Sequence, residues 1–330
     1  MSEERLPHDD IRRRELGIDE IEQRTIELTE VVRGIGEFLS QPENVDQAVF
    51  DDTTESANAR MNLGVFGDGL DGDRTITDAQ VASNNLFYRN LTIKTGGSLN
   101  MQGWSLFVSG ALFLDGAIHF DGNAGQAGAA GGAAGAGVAR QFLGGSNAGG
   151  AGGDGAGAAG AARDNATCGV GGQGGDGGTG AGASAGASTA FPDANGGVRV
   201  VHQIVPLLTG DSQGELLEAG TGGGGAGGDG VKKGGGGGAS GGMLVVAARA
   251  ISGAGSIQAK GGVGGAGDPA GNTGGGGGGG GGLVAVLSET TIPDTITCSA
   301  AGGLGGAKAG TGVVGDPGED GVVVKLYGVK

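Results

Sequence analysis

Glycine tracts constrain this chain more than any other feature. Of 330 residues, 84 are Gly and only 4% are aromatic, so the C-terminal half lacks the large side chains that fill an ordinary core. Glycine also loses the most backbone entropy on ordering. Such a segment either stays disordered or is held by its own backbone hydrogen bonds. The tracts are 122–137, 144–160, 169–186, 220–242, 261–282 and 302–312. Collagen is excluded because seven Pro in the whole chain cannot support a triple helix. Disorder is the usual meaning of the composition. Several tracts of similar length, separated by short breaks and interleaved with strand-like segments, instead predict a bundle of polyglycine II helices. Such helices are threefold, extended and without internal hydrogen bonds, and bare N–H and C=O groups then pair between neighbours.

Strand signals precede the tracts and recur between them. Apolar i, i+2 pairs stand at Leu91/Ile93, Leu99/Met101, Leu106/Val108, Leu112/Leu114 and Ile118/Phe120, which reads as short strands with tight turns, in a β-solenoid or a meander. Val245, Ile251 and Ile257 repeat the six-residue step of Leu106, Leu112 and Ile118, and a further copy runs through Val284 and Ile296 at an offset of 39 residues. Val322–Leu326 is a last partial copy. Each unit is a strand set followed by a glycine tract.

The N-terminal part differs. Ile18, Ile21, Thr25, Leu28, Val32, Ile35 and Leu39 alternate steps of three and four, the a and d spacing of a coiled coil. The expected fold class is therefore mainly β and irregular: an N-terminal coiled-coil helix, a short-strand β region, then a polyglycine II bundle interleaved with strands. The expected divisions are a docking segment 1–17, a stem 18–40 whose Ile18, Ile21, Leu28, Val32, Ile35 and Leu39 build a homotrimer, a linker 41–65, a β region 66–121 and a glycine-rich domain 122–330.

Charge and composition narrow function. A formal net charge of −16 argues against nucleic acid, which selects basic surfaces. Met1–Arg5 lacks the apolar stretch of a secretory signal, and no run of apolar residues is long enough to span a membrane. Three Asp within residues 68–73 suggest calcium, but turn chemistry explains Asp-Gly pairs equally well and an EF-hand pattern is missing. Cys168 and Cys298 define neither a disulfide framework nor a metal site. There is no HExxH and no Walker motif, and His8, His119 and His202 lie far apart. No cofactor and no enzymatic chemistry are expected.

Two patterns carry a resemblance. The segment Thr53-Thr54-Glu55-Ser56-Ala57-Asn58-Ala59-Arg60-Met61-Asn62-Leu63-Gly64 resembles a motif that recurs in phage tail-fibre proteins. The glycine tracts with variable breaks, over roughly residues 66–330, resemble the polyglycine-sandwich adhesins at phage fibre tips. That resemblance implies a virion protein that docks on other tail or capsid proteins and binds a bacterial surface polysaccharide or outer-membrane protein through loops. The loop residues that break the glycine pattern are Arg140, Gln141, Phe142, Arg163, Asn165, Phe191, Asp193, Asn195, Arg199, His202 and Gln203. Loops held by rigid elements are where binding residues collect. The alternatives are a purely structural surface or capsid-decorating fibre and, third, a polysaccharide depolymerase tailspike.

Overall fold

The computed structural model describes residues 65–139, 145–157, 168–182 and 220–329, all within one compact unit, Phe50–Val329. Its strands, in chain order, are β1 (Asp73–Ile76), β2 (Ala79–Val81), β3 (Leu86–Tyr88), β4 (Asn90–Ile93), β5 (Ser98–Asn100), β6 (Leu106–Leu114), β7 (Ala117–His119), β8 (Met243–Gly253), β9 (Ser256–Gln258), β10 (Leu283–Ser288), β11 (Thr297–Ser299) and β12 (Val322–Tyr327).

They form two sheets in which every strand pairing is parallel. The wide sheet runs β1-β4-β6-β8-β10-β12, with β3 also on β6, and the narrow sheet runs β2-β5-β7-β9-β11. Successive coils thus alternate between the sheets, one strand in each except that β3 and β4 both lie along β6 in the wide sheet, and each coil stacks on the one before. The rule of two faces per strand follows from the alternation read in the sequence. Leu99, Ile118 and Ile257 of the narrow sheet meet Leu91, Ile93, Leu112, Leu114, Leu244, Val246, Val284 and Val286 of the wide one in a single buried cluster. Each large side chain contributes on the order of 1.5–3 kcal/mol. A second cluster on the other face of the wide sheet holds Phe66, Phe87, Phe107, Met243, Val245, Leu283 and Leu287, where the rings of Phe87 and Phe107 stack 5.0 Å apart.

Parallel strands need long crossovers, usually a helix. Here the crossovers are glycine hairpins. Outbound legs 122–128, 261–267 and 301–309 follow β7, β9 and β11, and inbound legs 233–242, 274–282 and 312–321 lead into β8, β10 and β12. Leg 274–282 shows how they bind. Gly274, Gly277 and Gly280 donate to Gly227, Gly224 and Thr221. Gly275, Gly278 and Gly281 donate to Val313, Asp316 and Glu319, and Gly276, Gly279 and Gly282 donate to Gly265, Gly262 and Ala259, all at 2.8–3.0 Å. Its carbonyls accept in the same rotation from legs 235–241, 169–175 and 303–306, with Val322 closing the last. Consecutive residues therefore face three directions in turn, three residues per turn of extended chain, and the leg is ringed by six others. Leg 233–242 is surrounded likewise. Its N–H groups reach 274–280, 120–126 and 147–153, and its carbonyls accept from Gly135, from Gly223 and Ala226, and from Gly262 and Gly265.

This packing leaves room inside for few residues other than glycine, among them the buried Thr221, Ala226, Ala239 and Ser240. A Cβ on Gly278 would overlap the carbonyl of Gly303, and one on Gly242 would enter the ring of Phe120. At the perimeter the rule relaxes by triplets. In leg 261–267 only Val263 and Ala266 are exposed. In the corner leg 312–321 glycine is retained at Gly312, Gly315, Gly318 and Gly321, and the two residues between are exposed. Asp316 and Gly318 donate to neighbouring legs, and Pro317, which has no N–H, takes the third place of its triplet.

Several expectations are corrected. The fold class is not one led by a coiled coil: among the described residues there is no α-helix, only a 3-10 turn at Gly128–Ala130, and the strands make two parallel sheets. The residues of the expected stem, Ile18, Ile21, Leu28, Val32, Ile35 and Leu39, lie outside the described residues. Parallel pairing also excludes a meander. The offset of 39 residues does not set the register: Val284 pairs with Leu244 and Cys298 with Ile257. Leu106 pairs with Val246, and only after an irregularity between Val108 and Ala111 do Leu112 and Ile251 come together. The last tract does not end at 312 but returns to 321, hidden because two of every three residues there carry side chains.

Gly278→Val should destabilise the protein by about 1–3 kcal/mol or more, the cost of forcing atoms into a close-packed interior. Leu304→Ala, on a residue 69% exposed, should change stability by no more than about 0.5 kcal/mol. Equilibrium chemical denaturation measures both, and equal effects would refute the close-packed interior.

Candidate functional site

Each glycine hairpin turns at the end of the lattice far from the sheets, and these turns are bound to one another. Tract 220–242 folds at Asp229, whose Oδ1 accepts the N–H groups of Val231 at 3.1 Å and Lys232 at 2.8 Å. Its Oδ2 accepts the N–H of Asn272, in the next hairpin, at 3.0 Å. The backbone donors Lys232, Asn272 and Val231, in that order, hold the Asp229 carboxyl below the usual carboxylate range. Asn272 passes the link on: its Oδ1 accepts the N–H of Thr311 at 3.0 Å and its carbonyl accepts that of Gly178 at 2.6 Å. Asp268 closes its own turn by accepting the N–H of Ala270 at 2.9 Å. Lys232 lies 3.8 Å from Asp268, and Lys233 lies 3.9 Å from Asp154. The exposed Lys233–Asp154 pair contributes little energy, but together the pairs leave a polar platform. Val231 stands out of it, 81% exposed.

The platform can donate, accept and pair charge, and its parts have little freedom to move because the legs beneath them are packed on all sides. Among the described residues no group of three or more His, Cys, Asp or Glu could hold a metal ion. The Asp residues near the start of the coils serve turns instead. Asp68 caps Leu70 N–H at 3.0 Å, Asp71 accepts the N–H of Phe87 at 2.6 Å, and Asp73 takes Arg89 at 2.9 Å and Asn90 at 3.0 Å. Cys298 is a free thiol, and burial pushes its pKa up. Among the described residues no helix is long and apolar enough to cross a membrane.

The loop residues expected to bind, Arg140, Gln141, Phe142, Arg163, Asn165, Phe191, Asp193, Asn195, Arg199, His202 and Gln203, lie outside the described residues, so their mutual placement is not part of this geometry. Their flanks are placed. Val138 and Ser146, on either side of 140–144, bond each other at 2.9–3.1 Å. Gly220, after 183–219, accepts a bond from Asn147 Nδ2 beside the sheets. The tip residues Asp229, Asp268 and Asn272 were missed because the long tracts read as single rods. The signal was present: Asp229-Gly230-Val231-Lys232 and Asp268-Pro269-Ala270-Gly271 are turn sequences in the middle of tracts.

Comparison with family models, with curated proteins and with solved structures gives no match to this chain.

The Asp73–Arg89 pair yields a pH signature. The Arg89 hydrogen bond, then that of Asn90, lowers the Asp73 carboxyl from 3.8 to about 2. A folded-state value below the unfolded one stabilises the fold above the unfolded value, and the contribution fades as pH falls through the folded one. The thermal midpoint should therefore drop between pH 3.8 and about 2, and Asp73→Asn should flatten that slope. At the tips, Asp229→Ala should speed amide exchange at Val231, Lys232 and Asn272, read by hydrogen exchange, and leave leg 274–282 protected.

Proposed function

We propose that this chain is a bacteriophage fibre protein that attaches the particle to a bacterial surface by contact, without chemistry. The observation that carries the reading is the lattice itself, whose interior legs carry almost no side chains that could repack, so whatever its turns present is presented in one geometry. Preorganisation of this kind spares the ordering cost that flexible loops incur on binding. The phage assignment draws on the resemblance of Thr53–Gly64 and of the glycine tracts to fibre and adhesin sequences. The acidic perimeter, with Asp176, Asp316, Glu319 and Asp320 exposed, suits a particle-surface protein and disfavours a nucleic acid partner. The receptor is a surface polysaccharide or an outer-membrane protein, and the N-terminal part docks on other virion proteins.

Purified full chain, added in excess, should block adsorption of the particle that carries it. The same chain with residues 188–217 exchanged for an unrelated polar sequence should not block, while its thermal unfolding stays that of the parent. Unaltered adsorption in both cases would favour a surface decoration, and release of reducing sugar from host polysaccharide would overturn the non-enzymatic reading.

A further inference from the structure

The outer face of the narrow sheet carries a feature that the attachment reading does not use. Parallel register sets Asn100 beside His119, His119 beside Gln258, and Gln258 beside Ser299, on four adjacent strands. Leu99, Ile118 and Ile257, one residue earlier on β5, β7 and β9, are buried in the core between the sheets, so this row points away from it. All four are half-buried. Beside them runs a second row of small residues, Ser98, Ala117, Ser256 and Thr297, which leaves the larger polar row standing along a shallow step.

Two details of this row are costly for a surface that only meets water. His119 Nδ1 is buried without a hydrogen-bond partner, 3.6 Å from Asp121 Oδ2. That carboxylate is engaged elsewhere, by Gln258 Nε2 at 3.0 Å and by the N–H of Lys260 at 2.7 Å. Asp121 thereby fixes Gln258 and leaves the imidazole unsatisfied. Next to Asn100, Gln102 has φ 46, a left-handed conformation that among the described residues no other non-glycine adopts. The side chain of Asn100 accepts its N–H at 3.2 Å. Strain of this kind collects at functional sites. The same turn is closed by a 2.9 Å bond from Trp104 to Met101, and the half-buried Trp104 packs against the core between the sheets, while on the far side of Asn100 the register continues the row onto Val81 of β2.

We propose that this strip binds a linear, neutral saccharide laid across the strands. Neighbouring strands are ~4.8 Å apart, close to the advance of one hexopyranose along an extended chain, so successive sugars would each meet one amide, imidazole or hydroxyl. Those groups both donate and accept, as sugar hydroxyls require. The row itself bears no Lys or Arg, which disfavours a polyphosphate or nucleic acid. The inference stands on the register of the narrow sheet and not on the attachment reading, since adsorption could be blocked or spared whatever this strip binds.

The test titrates the full chain with maltohexaose, cellohexaose and chitohexaose, and with the corresponding disaccharides, by calorimetry. At least one hexasaccharide should bind, and its disaccharide roughly tenfold or more weakly, as contacts on several strands are lost. His119→Ala and Gln258→Ala should each weaken binding by about fivefold to tenfold with the thermal midpoint retained. Asn100→Ala serves the same purpose if either variant fails to fold, and Val231→Ala at the lattice tips should change nothing. The proposal is overturned if none of the hexasaccharides binds the full chain, or if the strip variants bind as tightly as the parent.

Discussion

The hydrogen bond between one extended glycine leg and the next governs this molecule. A threefold extended chain cannot bond to itself, so each buried N–H must find a carbonyl on another leg or lose the free energy of desolvation, about 1–3 kcal/mol for an unsatisfied group. The net gain per bond is only about 0.5–1.5 kcal/mol. Order therefore requires that nearly all the bonds be made together, and this is what leg 274–282 achieves with six surrounding legs. Side chains would hold the legs apart, so glycine, the residue most costly to order, becomes the one that permits the structure. The exceptions follow the same logic. Buried Ser240 and Thr221 use their hydroxyls to accept the N–H groups of Asn147 at 2.8 Å and Gly171 at 2.9 Å, as a carbonyl would.

The sheets supply what the legs lack. Bare glycine chains have no means of choosing a register, because every residue is like the next. The apolar alternation of the strands is specific, since a slip by one residue would turn the core faces outward. Leu283 beside Met243 and Val322 beside Leu283 set where the inbound legs end, and Gly282 and Gly242 continue the same ladder into the lattice. The aliphatic core thus aligns the glycine legs, and the legs replace the helices that would otherwise carry a parallel chain from one coil to the next.

Much of the strand framework was legible in the sequence. Leu91, Ile93, Leu99, Leu106, Leu112, Leu114 and Ile118 are all core residues, and Ile118 does lie beside Ile257. Pairing direction was not legible, because parallel and antiparallel strands share the same alternation. Nor was the exact register of the later copies: a bulge in β6 and the longer turn before β11 shift it by a residue or two, and nothing in the composition marks such shifts. The glycine tracts announced an ordered backbone through their division into units, but each long tract was a hairpin, and the mid-tract turns at Asp229 and Asp268 were too short to interrupt the composition. The tip platform and the polar row of the narrow sheet depend on residues far apart in the chain, 43 positions for Asp229 and Asn272 and 158 for Asn100 and Gln258, and no local pattern joins these.

The lattice also divides the chain by tolerance to change. At the interior glycines a single Cβ would meet neighbouring backbone, and backbone cannot move without breaking the bonds of several legs at once. At the perimeter one or two residues of each triplet point outward, and Val263, Gln173, Leu304 or Pro317 can vary without disturbing any hydrogen bond between legs. At the turns the only demands are those of a tight reversal and of the links through Asp229 and Asn272. Within the lattice, variation is thus physically confined to outward triplet positions and to turns. Those are also the surfaces that another molecule can touch. A scaffold whose interior tolerates few substitutions can therefore carry a surface that tolerates a great many, and the two can change independently.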